Sequence, residues 1–467
     1  MTRFDLAIIG AGPAGMSAAV TARDAGLSVI VVDEQPAPGG QIWRAVGRNA
    51  GARSGNLAFL GEDYAKGAEL AAQFEASGAQ FWPSASVWHA DSPDEGDKTV
   101  TVAWDGATRQ FRAGALLIAT GAMERPVPVP GWTLPGVMTV GAAQTLLKSS
   151  GLHPEPPLLL AGSGPLLLLF AAQCIAAGIE IAALLETTPP GAYMRGLPHL
   201  PVALLGWRTL LKGHRLKRQL AASGIPVYRA VTDLVADGTE QLERVRFRSA
   251  GMPVELEAAH LLLHEGVVPN PQLTRLLRCD HHWDAAQRCF RPDLSDRGET
   301  SVDNVFVAGD GGGIGGAMAA VHSGRIAAFE IAERFGSVNR PSGDVEIVKA
   351  RDALRAELAV RPLLDAMFPP PDWIARLDGD VTVCRCEEVS AAAVRKAAAL
   401  GAPGPNQAKA FLRAGMGPCQ GRMCGLTITE ILADAHGEHP ERIGYYRIRP
   451  PIKPVTLGEL AALDGSD

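Results

Sequence analysis

The chain has 467 residues, of which 47% are hydrophobic and 20% charged, and its formal net charge is -6 at pH 7. This length exceeds what one hydrophobic core usually organises, so we expect two or three domains. The negative charge argues against a nucleic-acid-binding protein, which needs a basic face. The N-terminal segment enters an apolar strand at once, and the longest apolar run, at 156–172, is broken by Gly, Ser and Pro. We therefore expect neither a signal peptide nor a transmembrane helix.

A complete dinucleotide-binding pattern opens the chain. An apolar strand at residues 5–9 leads through a glycine-rich turn into a helix, and a second strand runs to Glu34. Glycines permit the tight turn and a close approach of pyrophosphate, the helix N-terminus offers unpaired N–H groups, and the acid can bind the adenosine ribose. The turn residues expected to surround the pyrophosphate are Gly10, Gly12, Pro13, Ala14 and Gly15.

Three later segments favour FAD over NAD at this first site: GGQIW, LLIATGA and NVFVAGDGGGIGG. They resemble motifs of the thioredoxin-reductase-like and glutathione-reductase-like flavoproteins. That resemblance implies that Asp310 binds the ribityl chain and that the next helix directs its N-terminus at the flavin. The redox-active CxxC or CxxxxC of disulfide reductases does not accompany these motifs. The further residues expected to contact FAD are Gly40, Gln41, Thr120, Gly121, Gly309 and Asp310.

A second, imperfect dinucleotide pattern occupies residues 158–186. A strand leads to Gly162 and Gly164, a helix is predicted over 165–177, and the next strand ends at Glu186. Leu167 stands at the third glycine position, where its bulk should push the helix from the strand. Glu186 would disfavour a 2′-phosphate, so NAD or another adenine nucleotide suits the site better than NADP. An occupied site and a structural remnant both remain open.

Residues 190–220 combine aromatic, aliphatic and basic side chains. A lid or a partner-binding element is one interpretation of this segment. A surface helix with a solvated basic face is the interpretation that we favour from sequence.

Four of the seven cysteines lie in the last quarter of the chain. Thiolates so close repel each other unless a cation or a cluster neutralises them. Zinc is one candidate, but the CxC spacing is tight for a single tetrahedral ion, and a [2Fe-2S] cluster tolerates it better. Such cysteine usage suggests a reducing cytosol. The expected metal ligands are Cys384, Cys386, Cys419 and Cys424.

The cysteine module at 380–435, with CRCEE and GPCQGRMCG, resembles the small helical [2Fe-2S] domain of bacterioferritin-associated ferredoxin. The chain as a whole resembles the α subunits of heteromeric flavin-dependent amine dehydrogenases, including opine oxidases, hydroxyproline dehydrogenases and the hydrogen cyanide synthase B subunit. The supporting segments are GAGPAG, GGQIW, PGVMTVGAAQTLLK, GVVPN, GDGGGIGG, the cysteine quartet and YRIRPPIKPVTLGELA.

The resemblance implies an α/β two-dinucleotide-binding-fold flavoprotein with a small helical [2Fe-2S] domain. It also implies a partner β subunit of the amino-acid-oxidase type, carrying its own FAD, which oxidises the substrate's C–N bond while the α subunit carries electrons. A small ferredoxin-like γ subunit, an FMN at the α–β interface, and NAD or ATP at a nucleotide site are further features that it suggests. The alternative function is a stand-alone NADH-dependent reductase of an iron–sulfur or ferredoxin acceptor.

The expected organisation has five parts. An FAD-binding domain takes 1–125 and 270–336, and a second nucleotide-binding domain takes 150–269. A helical linker at 337–379 leads to the cysteine module at 380–435 and an extended tail at 436–467. We expect a cytoplasmic protein, or one peripheral to the membrane through its electron acceptor. The sequence shows no acid–base pair for substrate chemistry and does not identify the substrate.

Overall fold

The computed structural model describes residues 1–51, 59–93, 96–336 and 343–463. The N-terminal layer is a seven-stranded sheet of β1 (Thr2–Ile9), β2 (Val29–Val32), β3 (Gln80–Trp82), β4 (Ser86–Asp91), β5 (Lys98–Trp104), β6 (Ala107–Ile118) and β19 (Val305–Val307). The strand order is β3-β2-β1-β6-β5-β4, with β19 beside β6. The half nearest β1 is parallel, as expected for apolar strands buried on both faces, and β4, β5 and β6 form an antiparallel extension.

Four helices belong with this sheet: α1 (Pro13–Asp24), α2 (Val46–Gly51), α3 (Glu62–Ala76) and α10 (Ala317–Arg334). Helices α1 and α10 pack closely because small residues meet at their crossing. A Cβ at Gly324 would lie 2.2 Å from the carbonyl oxygen of Ala14, so only glycine fits there. This contact holds the two helices whose N-termini face the cofactor cavity described below.

The second sheet is parallel throughout. Its strands are β8 (Val137–Thr139), β9 (Leu158–Ser163), β10 (Ile181–Glu186), β11 (Val227–Tyr228) and β15 (Leu261–Glu265), with helices α4 (Val140–Ser150), α5 (Pro165–Ala177) and α8 (Trp207–Ala222). The strand order is β11-β10-β9-β15-β8. Helix α5 has the predicted bounds. Strand β8 and most of α4 precede residue 150, so the sheet begins earlier than the range of 150–269 that we expected.

Smaller sheets complete the α/β part. Strands β12 (Val231–Asp237), β13 (Arg244–Ser249) and β14 (Met252–Glu257) form an antiparallel sheet. The chain passes between the two large sheets through an antiparallel pair, β7 (Ala122–Glu124) and β16 (Val267–Pro269), and continues into α9 (Gln272–Leu276) and the hairpin β17 (His281–Asp284) and β18 (Cys289–Pro292).

The rest of the chain is mainly helical. The elements are α6 (Ala192–Gly196), α7 (Leu200–Ala203), α11 (Gly343–Leu358), α12 (Arg361–Met367), β20 (Thr382–Cys384), β21 (Val389–Ser390), α13 (Ala391–Ala399), α14 (Pro405–Leu412), α15 (Gly425–His436), α16 (Pro440–Ile443) and α17 (Leu457–Ala461). Residues 337–342 of the expected linker and 464–467 of the expected tail lie outside the described residues. The range expected as an extended tail, 436–467, contains the short helices α16 and α17.

The cysteine module packs against the N-terminal sheet and not away from it. Its apolar residues share one core with that sheet and with Leu273 and Phe290. The indole N–H of Trp132 donates a 2.7 Å hydrogen bond to the carbonyl of Thr382, at the start of β20. Among the described helices, none is long and apolar enough to cross a bilayer.

Candidate cofactor and cysteine sites

A cavity of about 470 Å³ lies at the carboxyl ends of β1 and β6, beside the N-termini of α1 and α10. In the glycine turn between β1 and α1, the backbone segments pack too closely for side chains at Gly10 and Gly15. Gly10 has φ 109°. A Cβ at Gly15 would lie 1.8 Å from the carbonyl oxygen of Gly10, so α1 can pack this close to β1 only because residue 15 is glycine. A Cβ at Gly12 would meet only Gly40 Cα, at 3.8 Å, so the space beside Gly12 is open toward the cavity.

Most of the predicted cofactor residues meet at this cavity. Asp310 is fixed by its Oδ1 atom, which accepts hydrogen bonds from the backbone N–H groups of Gly315 (2.8 Å) and Gly316 (2.9 Å) just before α10. Gly15 does not line the cavity but supports the turn from behind. The predicted residues that line it are Gly10, Gly12, Pro13, Ala14, Glu34, Gly40, Gln41, Thr120, Gly121, Gly309 and Asp310.

Several polar residues of the cavity were missed from sequence. Asp33 accepts hydrogen bonds from the backbone N–H groups of Ala11 (2.5 Å) and Gln35 (2.7 Å), and its burial raises its pKa. Three buried polar atoms of cavity residues have no hydrogen-bond partner in the described part of the chain: Thr120 Oγ1, Arg44 Nε and Gln272 Oε1. Unpaired buried polar atoms are costly, so these atoms fit a polar ligand.

The C-terminal tail forms part of the cavity wall. Lys453 pairs with the carboxylate of Glu34, the acid predicted to bind ribose. Ile452 also lines the cavity, and its N–H donates to the carbonyl of Trp88 at 2.9 Å. No local pattern predicts this contact, because Lys453 and Glu34 are 419 positions apart.

The four predicted ligand cysteines lie together: the strongest interactions join Cys384 to Cys424 and Cys386 to Cys419, and weaker charge interactions join the two pairs. Cys424 hydrogen-bonds Cys384, and this contact, with backbone N–H donors that include Gly415, outweighs burial and lowers the pKa of Cys384 to about 6. Cys386 is exposed and contacts Cys419 in the same way. Among the described residues, no group of three His, Cys, Asp or Glu side chains is arranged to hold a metal ion.

Two tyrosines from the tail cover the second cysteine loop. Glycines make room for them: a Cβ at Gly415 or Gly421 would lie about 2.5 Å from the ring of Tyr446, and one at Gly425 would lie 2.4 Å from the hydroxyl of Tyr445. The Tyr446 hydroxyl donates a 2.9 Å hydrogen bond to the carbonyl of Ala414. Packing against the two tyrosines therefore explains the glycines of this loop.

The cysteine loop and the cavity share a wall. Arg422 and Met423, between the last two cysteines, both line the cavity. Arg422 donates to the carbonyl of Ile452 at 3.2 Å, and Gln272 donates to the carbonyl of Gln420 at 3.0 Å. The two sites predicted from separate motifs are thus neighbours.

The second glycine pattern makes a similar turn, but its acid is already engaged. A Cβ at Gly162 would lie 1.7 Å from the carbonyl oxygen of His264, and Gly164 precedes α5. The carboxylate of Glu186 accepts a 2.6 Å hydrogen bond from the hydroxyl of Tyr193. Leu167, in place of a glycine, is buried in the core behind the turn. The other carboxylate oxygen of Glu186 lies 3.9 Å from Arg229, so a ribose at this acid would compete with Tyr193 and Arg229.

The loop after Gly40 is anchored to helix α3. The indole N–H of Trp43 donates to the carbonyl of Asp63 at 2.9 Å. The Asp63 carboxylate in turn binds Lys66 and Lys212, each at 2.7 Å. Burial alone would raise the pKa of Asp63, but the hydrogen bonds from Lys212 and Lys66 outweigh it and bring the pKa to about 2.

We expect Asp63→Asn to lower thermal stability at pH 7 by the equivalent of about 1 kcal/mol or less, because the pair is half exposed and screened. The folded pKa of about 2 lies below the ordinary value of 3.8. The stabilisation is therefore present above pH ~4 and is lost as the pH falls toward 2. Melting curves at pH 7, 5 and 3.5 measure it, with Glu75→Gln on the same helix as control. A difference from wild type that grows on acidification would contradict this assignment.

Comparisons with known proteins agree with this geometry. Residues 4–324 match the family model described as pyridine nucleotide-disulphide oxidoreductase, and residues 379–464 match the sarcosine oxidase A3 domain. The chain is 44% identical to the opine oxidase A subunit of Rhizobium meliloti (strain 1021), over 99% of each chain. It is 32% identical to the hydrogen cyanide synthase subunit HcnB of Pseudomonas aeruginosa, over 96% of this chain and 97% of that one.

The fold has a counterpart among solved structures. The L-proline dehydrogenase from P. horikoshii superposes with a TM-score of 0.73, covering 98% of this chain and 79% of that one at 19% identity. The thioredoxin reductase of T. acidophilum gives a TM-score of 0.52 over 72% of this chain. The mixed α/β flavoprotein fold and the family resemblance predicted from sequence are confirmed. The chain belongs to the family of opine oxidase A subunits and, through residues 4–324, to the pyridine nucleotide-disulphide oxidoreductase family.

Proposed function

We propose that this chain is the FAD- and [2Fe-2S]-containing electron-transfer subunit of a heteromeric enzyme that oxidises the C–N bond of an opine-type amine or an amino acid. Its relatives make it a flavin-dependent oxidoreductase acting on amine C–N bonds. The observation that carries the proposal is the shared wall, in which Arg422 and Met423 of the cysteine loop line the dinucleotide cavity. Neighbouring redox cofactors are what an electron-transfer subunit requires.

The residues of the cavity fit FAD. The glycine turn and the N-terminus of α1 would hold the pyrophosphate, and Asp310, with the N-terminus of α10, would hold the ribityl chain and the flavin. A positive helix end stabilises negative charge on a flavin. FAD, when bound, supplies the ability to accept two electrons and release them one at a time.

The thiol pairs support a two-iron cluster over zinc. A structural zinc ion needs four ligands around one centre, whereas a [2Fe-2S] cluster takes two thiolates at each of two irons. The pairing of Cys384 with Cys424 and of Cys386 with Cys419 suits the second arrangement. Backbone N–H groups already directed at Cys384 would stabilise its thiolate.

Substrate oxidation belongs to a partner in this proposal, because the carboxylates of the cavity are all engaged. Asp33 accepts from Ala11 and Gln35, Glu34 pairs with Lys453, and Asp310 accepts from the turn before α10. The relatives named as subunits of opine oxidase and of hydrogen cyanide synthase support a heteromeric enzyme.

The finer features implied by the resemblance extend the proposal. They are a β subunit of the amino-acid-oxidase type with its own FAD, a small ferredoxin-like γ subunit, an FMN at the subunit interface, and NAD or ATP at the second glycine turn. A cytoplasmic location, or peripheral contact with a membrane through the electron acceptor, accompanies them.

A stand-alone NADH-dependent reductase is the second candidate, favoured by the match of residues 4–324 to the pyridine nucleotide family. The engagement of Glu186 by Tyr193 argues against it. We expect anaerobic NADH to leave the flavin absorbance of the purified chain unchanged, while dithionite bleaches it as a positive control. Bleaching by NADH within seconds would instead support the reductase.

A further inference from the structure

One surface of the second domain presents large apolar side chains to solvent. Met194 is 68% exposed, Leu205 63% and Trp207 55%, in a stretch of short helices from α6 to α8. We call this the 193–211 surface and define it by its nine exposed members: Tyr193, Met194, Leu197, Leu200, Val202, Leu204, Leu205, Trp207 and Leu211. Large contiguous apolar patches are rare on monomers and usually mark a binding surface.

Small residues hold the 193–211 surface on the rest of the protein. A Cβ at Gly196 would lie 2.8 Å from the Met367 side chain on α12, and one at Gly206 would lie 3.3 Å from the carbonyl of Ala356 on α11. Ala203 is buried against Val360 and Leu363. The small side chains thus face the protein and the large apolar ones face solvent. A surface helix normally does the opposite and buries its large apolar side chains. Most of the basic residues of 190–220 are exposed, as the favoured interpretation expects, but large apolar side chains are exposed beside them.

The same segment carries cations and no carboxylates. Between Glu186 and Asp233 the sequence contains no Asp or Glu. One of its cations, Lys212, is bound to Asp63, which links α8 to the Trp43 loop beside the dinucleotide cavity. The Lys and Arg residues of the stretch are Arg195, Arg208, Lys212, Arg215, Lys217, Arg218 and Arg229.

We propose that the 193–211 surface is the docking site of the amine-oxidising partner subunit, through an apolar patch of the partner rimmed by carboxylates. This inference rests on the proposed function. A second copy of this chain is disfavoured, because isologous contact would bring like charges together. Obligate interfaces have an apolar centre and a charged rim, and a partner with carboxylates matches this one in both respects.

Hydrogen–deuterium exchange on the full chain, alone and co-purified with the partner subunit, tests the assignment. We expect peptides across 193–211 to exchange at least about 10-fold more slowly in the complex. The exchange rate of the peptide covering β14 (252–257) should be the same in the isolated chain and in the complex. A complex that oxidises amine while 193–211 exchanges as in the isolated chain overturns the docking site but not the proposed function, whereas failure to form any complex overturns both.

Two further exchange experiments test whether lipid or a second copy of this chain covers the surface instead. Slower exchange with vesicles of phosphatidylcholine and phosphatidylglycerol, and not with the partner, would assign the surface to lipid and overturn the proposal. Slower exchange of 193–211 in the isolated chain at raised concentration would assign the surface to self-association and would also overturn the proposal.

Substitutions give an independent measure of the same surface. We expect Trp207→Lys to weaken partner binding about 30-fold or more, as for a central aromatic at an interface. Met252→Lys is the matched control, because Met252 is 69% exposed on β14, outside the surface. Leu205→Lys serves as a second variant should the first lose FAD or fold poorly. Wild-type affinity in both 193–211 variants would contradict the proposal.

Discussion

Replacing Cys424 with alanine is expected to reduce the iron content of the purified protein to background and to abolish its electron paramagnetic resonance signal after reduction. Cys424 is buried and pairs with Cys384, so its loss removes one of the two ligands proposed for one iron. FAD should remain bound at its wild-type stoichiometry, because the thiol does not line the dinucleotide cavity. Iron and flavin assays on the same sample measure both quantities.

Cys174→Ala is the matched control, since Cys174 is equally buried, in α5, and lies outside the quartet. It should keep full iron content. Cys386→Ala tests the other pair with little risk to the core, because Cys386 is exposed. Wild-type iron in Cys424→Ala and Cys386→Ala, or stoichiometric zinc in the wild type, would contradict the cluster assignment.

Replacing Gly12 with valine is expected to give a folded protein that has lost FAD. The backbone of Gly12 is extended (φ -76°, ψ -172°), and an added Cβ meets no atom closer than 3.8 Å, so a side chain can leave the backbone here without overlap at its Cβ. The larger side chain instead fills the space proposed for the pyrophosphate. Each lost hydrogen bond to a charged group costs about 1.5–3 kcal/mol, so we expect affinity to fall by about 10-fold or more.

Gly213→Val is the control for this substitution, because a Cβ at Gly213 meets nothing within 4 Å and the residue does not line the cavity. Flavin titration of apoprotein measures the affinity, and circular dichroism reports the fold. Gly15→Val should behave differently and destabilise the protein, since its Cβ would overlap the carbonyl of Gly10. Unchanged FAD affinity in Gly12→Val would show that the dinucleotide does not bind at this turn.

Local patterns predicted the elements that local physics controls. The strand, the glycine turn at Gly10, Gly12 and Gly15, and the helix follow one another directly in the sequence. The helix over 165–177 ends at a left-handed C-cap glycine, Gly178. In each case the interactions that determine the structure lie within a few residues.

Contacts between distant segments were not predictable in this way. The residues adjacent to Lys453 in the sequence do not indicate that it pairs with Glu34. Those adjacent to Arg422 do not indicate that it lines a cavity with residues of the N-terminal glycine turn. The exposed apolar side chains of the 193–211 surface are a related case. Gly196 and Ala203 pack against α12 and Val360, and this tertiary contact leaves the Leu and Trp side chains facing solvent.

In the proposed enzyme, electrons from amine oxidation reach the flavin and the cysteine site of this chain. The decisive experiment adds opine substrate anaerobically to the co-purified complex and follows flavin absorbance together with low-temperature electron paramagnetic resonance. We predict a [2Fe-2S] signal that is missing from the Cys424→Ala complex, and a loss of flavin absorbance larger than the FAD of the partner subunit alone accounts for. Full amine oxidation by the isolated chain, or substrate turnover that leaves its flavin and cysteine site unreduced, would contradict this function.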